Sequence, residues 1–182
     1  FERARLMSED VPEGGMAAVM GLAPDAIEAA LPGEVQVANY NSPAQTIISG
    51  SRAGLDAATE ALKAAGAKRV LPLPVSGPFH SRYMQPAAEQ FAGVLAGVPF
   101  AAPRVRFVSS VTGAPEDDPE RIRALLSEQL VNPVRWIETM QCIGPVEAVE
   151  VGPGNVLKGL AKRIDGAPTV ASAATLETAN AL

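Results

Sequence analysis

Apolar and polar positions along the 182-residue chain fall into two rhythms. In the first, from about residue 15 to 76, short apolar runs alternate with amphipathic stretches. Met16–Leu22 reads as a strand. Pro24-Asp25 opens a helix over Ala26–Leu31, with proline near the start where its missing N–H is harmless. Val35–Tyr40 alternates as a second strand, Asn41-Ser42-Pro43 signals a turn, and Gln45–Ser49 reads as a third strand rich in β-branched residues. Arg52–Ala65 places Leu55, Ala58, Leu62 and Ala65 on one helical stripe, with Gly66 as the cap. Lys68–Val75 is a fourth strand, and Pro72 and Pro74 confine it to a sheet edge.

The order of these elements is β-α-β-β-α-β, the ferredoxin-like pattern. The second rhythm runs from His80 to the end. Helices are expected over Arg82–Leu95, Asp118–Leu130, Val134–Ile143 and Val156–Ile164, with strands over Val105–Ser110, Val146–Val151 and Thr169–Ser172. Helices alternating with strands imply an α/β architecture with a largely parallel sheet in this half. Three strands are few for such a sheet, so it is expected to continue in further sequence. Phe1–Met7 reads as helix interior, with no initiator Met, signal peptide or N-cap, so sequence is also expected upstream.

Composition narrows the function classes. Apolar residues make up 47% of the chain and aromatic residues 4%, so a core of Ala, Val, Leu and Ile is expected. The net charge of −5 and the absence of a basic tract argue against a nucleic-acid partner. No apolar run approaches the ~20 residues of a membrane span. Cys142 is the only cysteine and His80 the only histidine, which disfavours a disulfide or a structural zinc site and fits a cytosolic location.

His80, in Val75-Ser76-Gly77-Pro78-Phe79-His80-Ser81, is therefore the leading candidate for proton transfer near neutrality. A surface or capping role is the commoner fate of a lone histidine. No Gly-x-Ser-x-Gly elbow occurs; Gly50-Ser51-Arg52-Ala53-Gly54 reads as a helix cap. Cys142 sits in an apolar helical run as a core thiol. Gly152-Pro153-Gly154-Asn155 is a βα turn whose following helix could hold an anion, although it is neither a P-loop nor a dinucleotide fingerprint. Asn39 and Asn41 read as turn formers, and Gln129 and Arg3 as surface residues.

Taken in order, several segments resemble one family. They are Val37-Ala38-Asn39-Tyr40-Asn41-Ser42-Pro43-Ala44-Gln45, Gly66-Ala67-Lys68-Arg69, Leu71-Pro72-Leu73-Pro74-Val75-Ser76, Phe79-His80-Ser81, Gln129-Leu130, Asn132-Pro133-Val134-Arg135-Trp136 and Glu150-Val151-Gly152-Pro153-Gly154-Asn155-Val156-Leu157. Together they resemble the malonyl-CoA:acyl carrier protein transacylases of bacterial type II fatty acid synthesis. The resemblance implies a partial α/β-hydrolase-like acyltransferase large subdomain, residues 1–12 and 77–182, and a ferredoxin-like (βαββαβ) small subdomain, residues 13–76. It implies malonyl transfer from malonyl-CoA to the phosphopantetheine thiol of acyl carrier protein, by a ping-pong route through an acyl-serine.

By that resemblance His80 matches the general base, and Gln129 the residue whose main-chain carbonyl orients the ring. Arg3 matches the clasp for the free malonyl carboxylate, with Asn41, Phe79 and Met7 at the substrate. Phe79 would narrow the room for an α-methyl branch, a discrimination worth ~1–3 kcal/mol. Arg69, Arg82 and Lys158 are candidates for docking the acidic carrier protein. Neither cofactor nor metal is implied, and a cytoplasmic monomer is expected. The family's serine elbow and oxyanion loop are not in this sequence, so the chain alone is expected to be inactive. The alternatives are an acyltransferase domain of a polyketide synthase and a non-catalytic module that binds carrier protein or CoA.

Overall fold

The computed structural model describes residues 1–9 and 11–180. A short helix α1 (Glu2–Leu6) leads into β1 (Gly15–Met20), α2 (Pro24–Ala30), β2 (Val35–Ser42), β3 (Gln45–Gly50), α3 (Arg52–Ala64) and β4 (Arg69–Pro72). The four strands form one sheet in the order β2-β3-β1-β4, and every neighbouring pair is antiparallel. The expected β-α-β-β-α-β succession is thus present, with the proline-bearing β4 at an edge.

Both faces of this sheet are buried, which explains the unbroken apolar run of β1. Ala17 and Val19 point with Val35, Val37 and Ile48 toward α2 and α3, where Ile27, Ala58 and Leu62 complete one core. Met16 and Ala18 point the other way, with Ala38 and Ile47, and meet Leu73 and Phe79. Local chemistry fixes the ends of α3. The Ser51 hydroxyl accepts from the Gly54 N–H at 3.0 Å. At the other end Gly66, at φ +99°, closes the helix, with Ala67 N–H donating to Leu62 O and Gly66 N–H to Lys63 O. Ala65, expected on the buried stripe, lies instead at the exposed C-cap.

A 3-10 turn over Arg82–Met84 leads into α4 (Gln85–Ala96), followed by α5 (Pro119–Glu128), α6 (Trp136–Ile143), β5 (Glu147–Val151), α7 (Val156–Ala161), β6 (Thr169–Ala173) and α8 (Leu176–Asn180). Asp118 caps α5 by accepting from Glu120 N–H at 2.9 Å, with Pro119 in the first turn as its sequence implies. Leu6, Met84, Phe91, Leu95 and Leu130 form a helical core. Phe79 packs against this core and also against the second face of the sheet, and so joins the two layers.

The architecture is α/β, but its parallel component is smaller than expected. Among the described residues β5 and β6 are the one pair of strands that runs parallel. Val105–Ser110 is not a strand: its one ladder contact is the isolated bridge Val108–Pro115. Its β-branched residues meet no neighbouring strand, and Ser109 is tied instead into a turn closed by Gly113 at φ +68°. The short α8 was not foreseen. Among the described residues no helix is long and apolar enough to cross a membrane.

Leu62 is fully buried between α3 and the sheet. Leu62→Ala is expected to destabilise the fold by about 2–5 kcal/mol. Truncating Val105, which is 78% exposed, is expected to change stability by less than about 0.5 kcal/mol. Denaturant unfolding of the two variants checks both values.

Candidate active site

His80 lies in the segment between β4 and α4, in the turn that follows the buried Gly77 and Pro78. A Cβ on Gly77 would meet Val11 Cγ1 at 2.2 Å, so the two chain passes that link the sheet to the helices touch at this point. Among the described residues His80 is the one non-glycine residue with positive φ, at 55°. That left-handed conformation disfavours a Cβ-bearing residue by about 1–3 kcal/mol and persists only where surrounding contacts enforce it. The contacts are present. Ser81 is completely buried and its hydroxyl donates to Pro78 O, while Met84 N–H donates to Ser81 O at 2.9 Å.

The ring is set by main-chain oxygens. His80 Nδ1 lies 2.9 Å from Gln129 O and 3.3 Å from Asn132 O. Both partners are acceptors, so Nδ1 carries the proton and donates, leaving the Nε2 lone pair available. Gln129 caps the C-terminal end of α5, where the helix dipole is negative. Its own side chain is held by Ser110, with Nε2 donating to Oγ at 2.8 Å. Val134 is bridged to β2: Val134 N–H donates to Ala38 O at 2.8 Å, and Tyr40 N–H donates to Val134 O at 2.9 Å. The carbonyl-bearing turn is therefore pinned to the sheet.

Burial drives the His80 pKa below the ordinary imidazole value, and the Arg3 cation pushes it the same way; the bonds to Gln129 and Asn132 oppose both. The net result is a neutral ring at neutral pH with one free basic nitrogen. Arg3, on α1, has its own pKa lowered by burial, and its Nε is buried without a hydrogen-bond partner. Arg5 pairs with Glu2 and Glu9, whereas Arg3 has no carboxylate partner among the described residues. The arrangement is a neutral imidazole and a partly desolvated cation that has no carboxylate partner among the described residues. It can take a proton from a donor while an anionic group is held close by.

The Acyl transferase domain family model matches residues 1–177. The chain belongs to this family. It is 45% identical over 172 residues to the malonyl CoA-acyl carrier protein transacylase of Salmonella typhimurium, an alignment covering 89% of this chain and 56% of that protein. The Bacillus subtilis protein of the same name is 39% identical over 175 residues, covering 90% of this chain and 55% of its own. The acyl-carrier-protein S-malonyltransferase of Burkholderia pseudomallei superposes with a TM-score of 0.91 at 42% identity, over 99% of this chain and 62% of that one. A malonyl-transacylase solved in complex with its type II polyketide synthase acyl carrier protein superposes at 0.89 with 41% identity, over 99% and 62%. The chain spans 56% of the length of the Salmonella relative.

In this acyl transferase chain Gln129 O accepts from His80 Nδ1, and the Arg3 cation acts on the same ring. The other candidates stand differently. Asn41 donates from Nδ2 to Gln45 Oε1 at 3.2 Å, a bond within the β2–β3 hairpin. Phe79 and Met7 are half-buried and pack on the helical core. Arg69 is exposed on the edge strand, and Arg82 donates to Gly33 O. The anion-binding reading of the Gly152–Asn155 turn is overturned. Glu150 accepts from Leu157 N–H and Lys158 N–H, each at 3.0 Å, so an internal carboxylate already occupies the start of α7. Cys142 is half-buried and its Sγ accepts from Arg106, so it is not a purely apolar core thiol.

Two features were missed. They are the second carbonyl, from Asn132, and the left-handed backbone of His80, neither of which was expected from the sequence.

Because His80 is the sole histidine, its ring protons give one resolvable titration by proton NMR. The midpoint is expected below the ordinary ~6.5, and Arg3→Gln is expected to raise it, since Arg3 lowers it in the native chain. The stability effect follows the same direction. Protons bind the unfolded chain first, so the contribution is complete above ~6.5 and is lost as pH falls through the folded midpoint. A midpoint at or above ~6.5 would contradict the burial argument.

Proposed function

We propose that this chain carries the base, the ring-orienting carbonyl and the carboxylate clasp of a malonyl-CoA:acyl carrier protein transacylase. The observation that carries the reading is the single Nδ1–H of His80 directed to Gln129 O at 2.9 Å, beside the unpaired Arg3. The names of the similar proteins supply the substrate and the acceptor.

In this reading a serine hydroxyl supplied outside these residues attacks the thioester carbonyl of malonyl-CoA. His80 Nε2 takes the hydroxyl proton as the C–O bond forms. The C–S bond breaks, and the same proton passes to the departing CoA thiolate. In the second half His80 takes the proton of the phosphopantetheine thiol, the C–S bond forms on the carrier protein as the ester C–O bond to serine breaks, and the proton returns to the departing serine oxygen. Arg3 holds the free carboxylate through both halves; a guanidinium matches it in a planar, bidentate fashion. Phe79, Met7 and Asn41 line the acyl group. Arg69, Arg82 and Lys158 face the acidic carrier protein, and the enzyme works as a cytoplasmic monomer without a resident cofactor.

Residues 13–76 are the ferredoxin-like small subdomain, supported by the strand order β2-β3-β1-β4. Residues 1–12 and 77–182 are part of an α/β-hydrolase-like large subdomain. Its parallel pair leaves Val149 and Val151 exposed, at 49% and 83%, where parallel sheets are ordinarily covered on both faces.

A polypeptide of these 182 residues is expected to show no malonyl transfer from malonyl-CoA; turnover by it would refute the proposed need for an outside serine. In the active enzyme that contains this chain, His80→Ala is expected to lower kcat by ~10²–10⁴-fold. Arg3→Ala is expected to weaken kcat/KM for malonyl-CoA by ~3–5 kcal/mol while leaving the slow transfer of acetyl from acetyl-CoA nearly unchanged. Steady-state transfer to holo carrier protein measures both, and equal losses for malonyl and acetyl groups would refute the clasp. The rate is expected to rise with pH through the lowered His80 midpoint and then level off.

A further inference from the structure

We propose that Gln36 is a positioning residue for the imidazole of His80, acting as a two-handed clamp between the loop that carries the ring and the loop that carries its acceptor carbonyls. The proposal deepens the reading of His80 as the base and rests on that reading for its catalytic consequence.

Gln36 lies on β2, an edge strand of the antiparallel sheet. Its Oε1 accepts from the main-chain N–H of Arg82 at 3.1 Å. Its Nε2 donates to the main-chain carbonyl of Val131 at 3.4 Å. Arg82 is two residues beyond His80, and Val131 lies between Gln129 and Asn132, whose oxygens receive the His80 Nδ1–H. One amide therefore ties together both sides of the contact that fixes the ring.

His80 sits between β4 and the 3-10 turn, outside any strand or helix, and Gln129–Asn132 form the frayed end of α5, with their N–H groups bonded back to Leu125, Ser127 and Glu128 and their carbonyls free to meet the ring. The nearest rigid element is the edge of the sheet, whose free side is available to both. The turn that leads into the strand also meets this segment: the Arg82 guanidinium donates to Gly33 O, and the Tyr83 hydroxyl donates to Glu34 O at 3.4 Å. The strand reaches the second loop through Ala38 and Tyr40, which bond Val134. Gln36 is the one side chain among the described residues that bonds both loops at once.

The chemistry of the clamp selects an amide. The site needs an acceptor toward an N–H and a donor toward a carbonyl on one short head group. A carboxylate would keep the first contact and turn an acceptor toward the carbonyl of Val131. A leucine would keep the size and lose both contacts.

The test uses the full chain with its single histidine labelled with ¹⁵N, so that the tautomer and the titration are read from one ring. In the unmodified chain the Nδ1–H tautomer is expected to dominate. In Gln36→Leu the Nε2–H tautomer is expected to appear and the midpoint to fall, because the carbonyl contacts that hold the proton on Nδ1 and favour the charged ring are loosened. Gln36→Glu is expected to produce an intermediate change and keeps the test open if the leucine variant does not fold. Ser51→Ala removes the cap of α3 and lowers stability; it is expected to leave tautomer and midpoint unchanged, which separates positioning from general loosening.

In the active enzyme that contains this chain, Gln36→Leu is expected to lower kcat with little change in KM. A tautomer and midpoint in folded Gln36→Leu identical to those of the unmodified chain would overturn the clamp, as would an Nε2–H ring in the unmodified chain. A tautomer that responds to Gln36 in an enzyme whose kcat ignores His80→Ala would leave the clamp standing and remove the base reading.

Discussion

A ring nitrogen donating to two main-chain carbonyls is the contact on which the site depends. With Nδ1–H directed at Gln129 O and Asn132 O, the imidazole has one tautomer, one orientation and one free basic nitrogen. The left-handed backbone at His80 is the conformational consequence of reaching those oxygens from a turn fixed by buried Pro78 and Ser81. An orienting carboxylate would fix the same tautomer and add a negative charge beside Arg3. A neutral carbonyl at a helix end orients the ring and favours its protonated form through the dipole, while leaving the guanidinium uncompensated.

Burial dominates the balance of forces on the imidazole, and the Arg3 charge adds to it. Burial and the Arg3 cation both favour the neutral ring, and the two carbonyls moderate them. A ring held neutral is ready to accept a proton at ordinary pH. A half-buried guanidinium whose Nε lacks a partner is ready to accept a carboxylate, because a desolvated cation is stabilised strongly by a planar, bidentate anion. The two readinesses are electrostatically linked: an anion that pairs with Arg3 relieves the repulsion that lowers the His80 pKa, and so strengthens the base when the anion is bound.

The sheet layer is a scaffold for loops that do not hold themselves. Its inner core stabilises four strands and two helices around Ile27, Ile48 and Leu62, and its outer face receives Phe79 beside the helical core. The free edge of β2 then offers backbone and side-chain groups to both segments that build the site. Packing rigidity in one layer is thereby converted into hydrogen-bond geometry at the ring. Phe79, next to His80 in sequence, joins the two cores, so the packing of the layers and the placement of the base share one short segment.

Local chemistry was legible where neighbours in sequence decide it. The cap at Ser51, the glycine stop at Gly66, the edge placement of the Pro-bearing β4 and the β-α-β-β-α-β order all follow from contacts within a few residues or from apolar periodicity. His80 stood out in the sequence because one imidazole stood alone, and the readings of Gln129 and Arg3 came through the resemblance rather than from spacing. Residues 105–110 misled because a β-branched run becomes a strand only when another strand lies beside it, and here none does. The Gly152–Asn155 turn misled because its helix start is already filled by Glu150, seven and eight positions from the donors. Tertiary structure alone decided which carbonyls meet Nδ1 and which amide spans the two loops. Those contacts join residues separated by 46 to 95 positions, and no local preference encodes a distance between segments that only packing brings together.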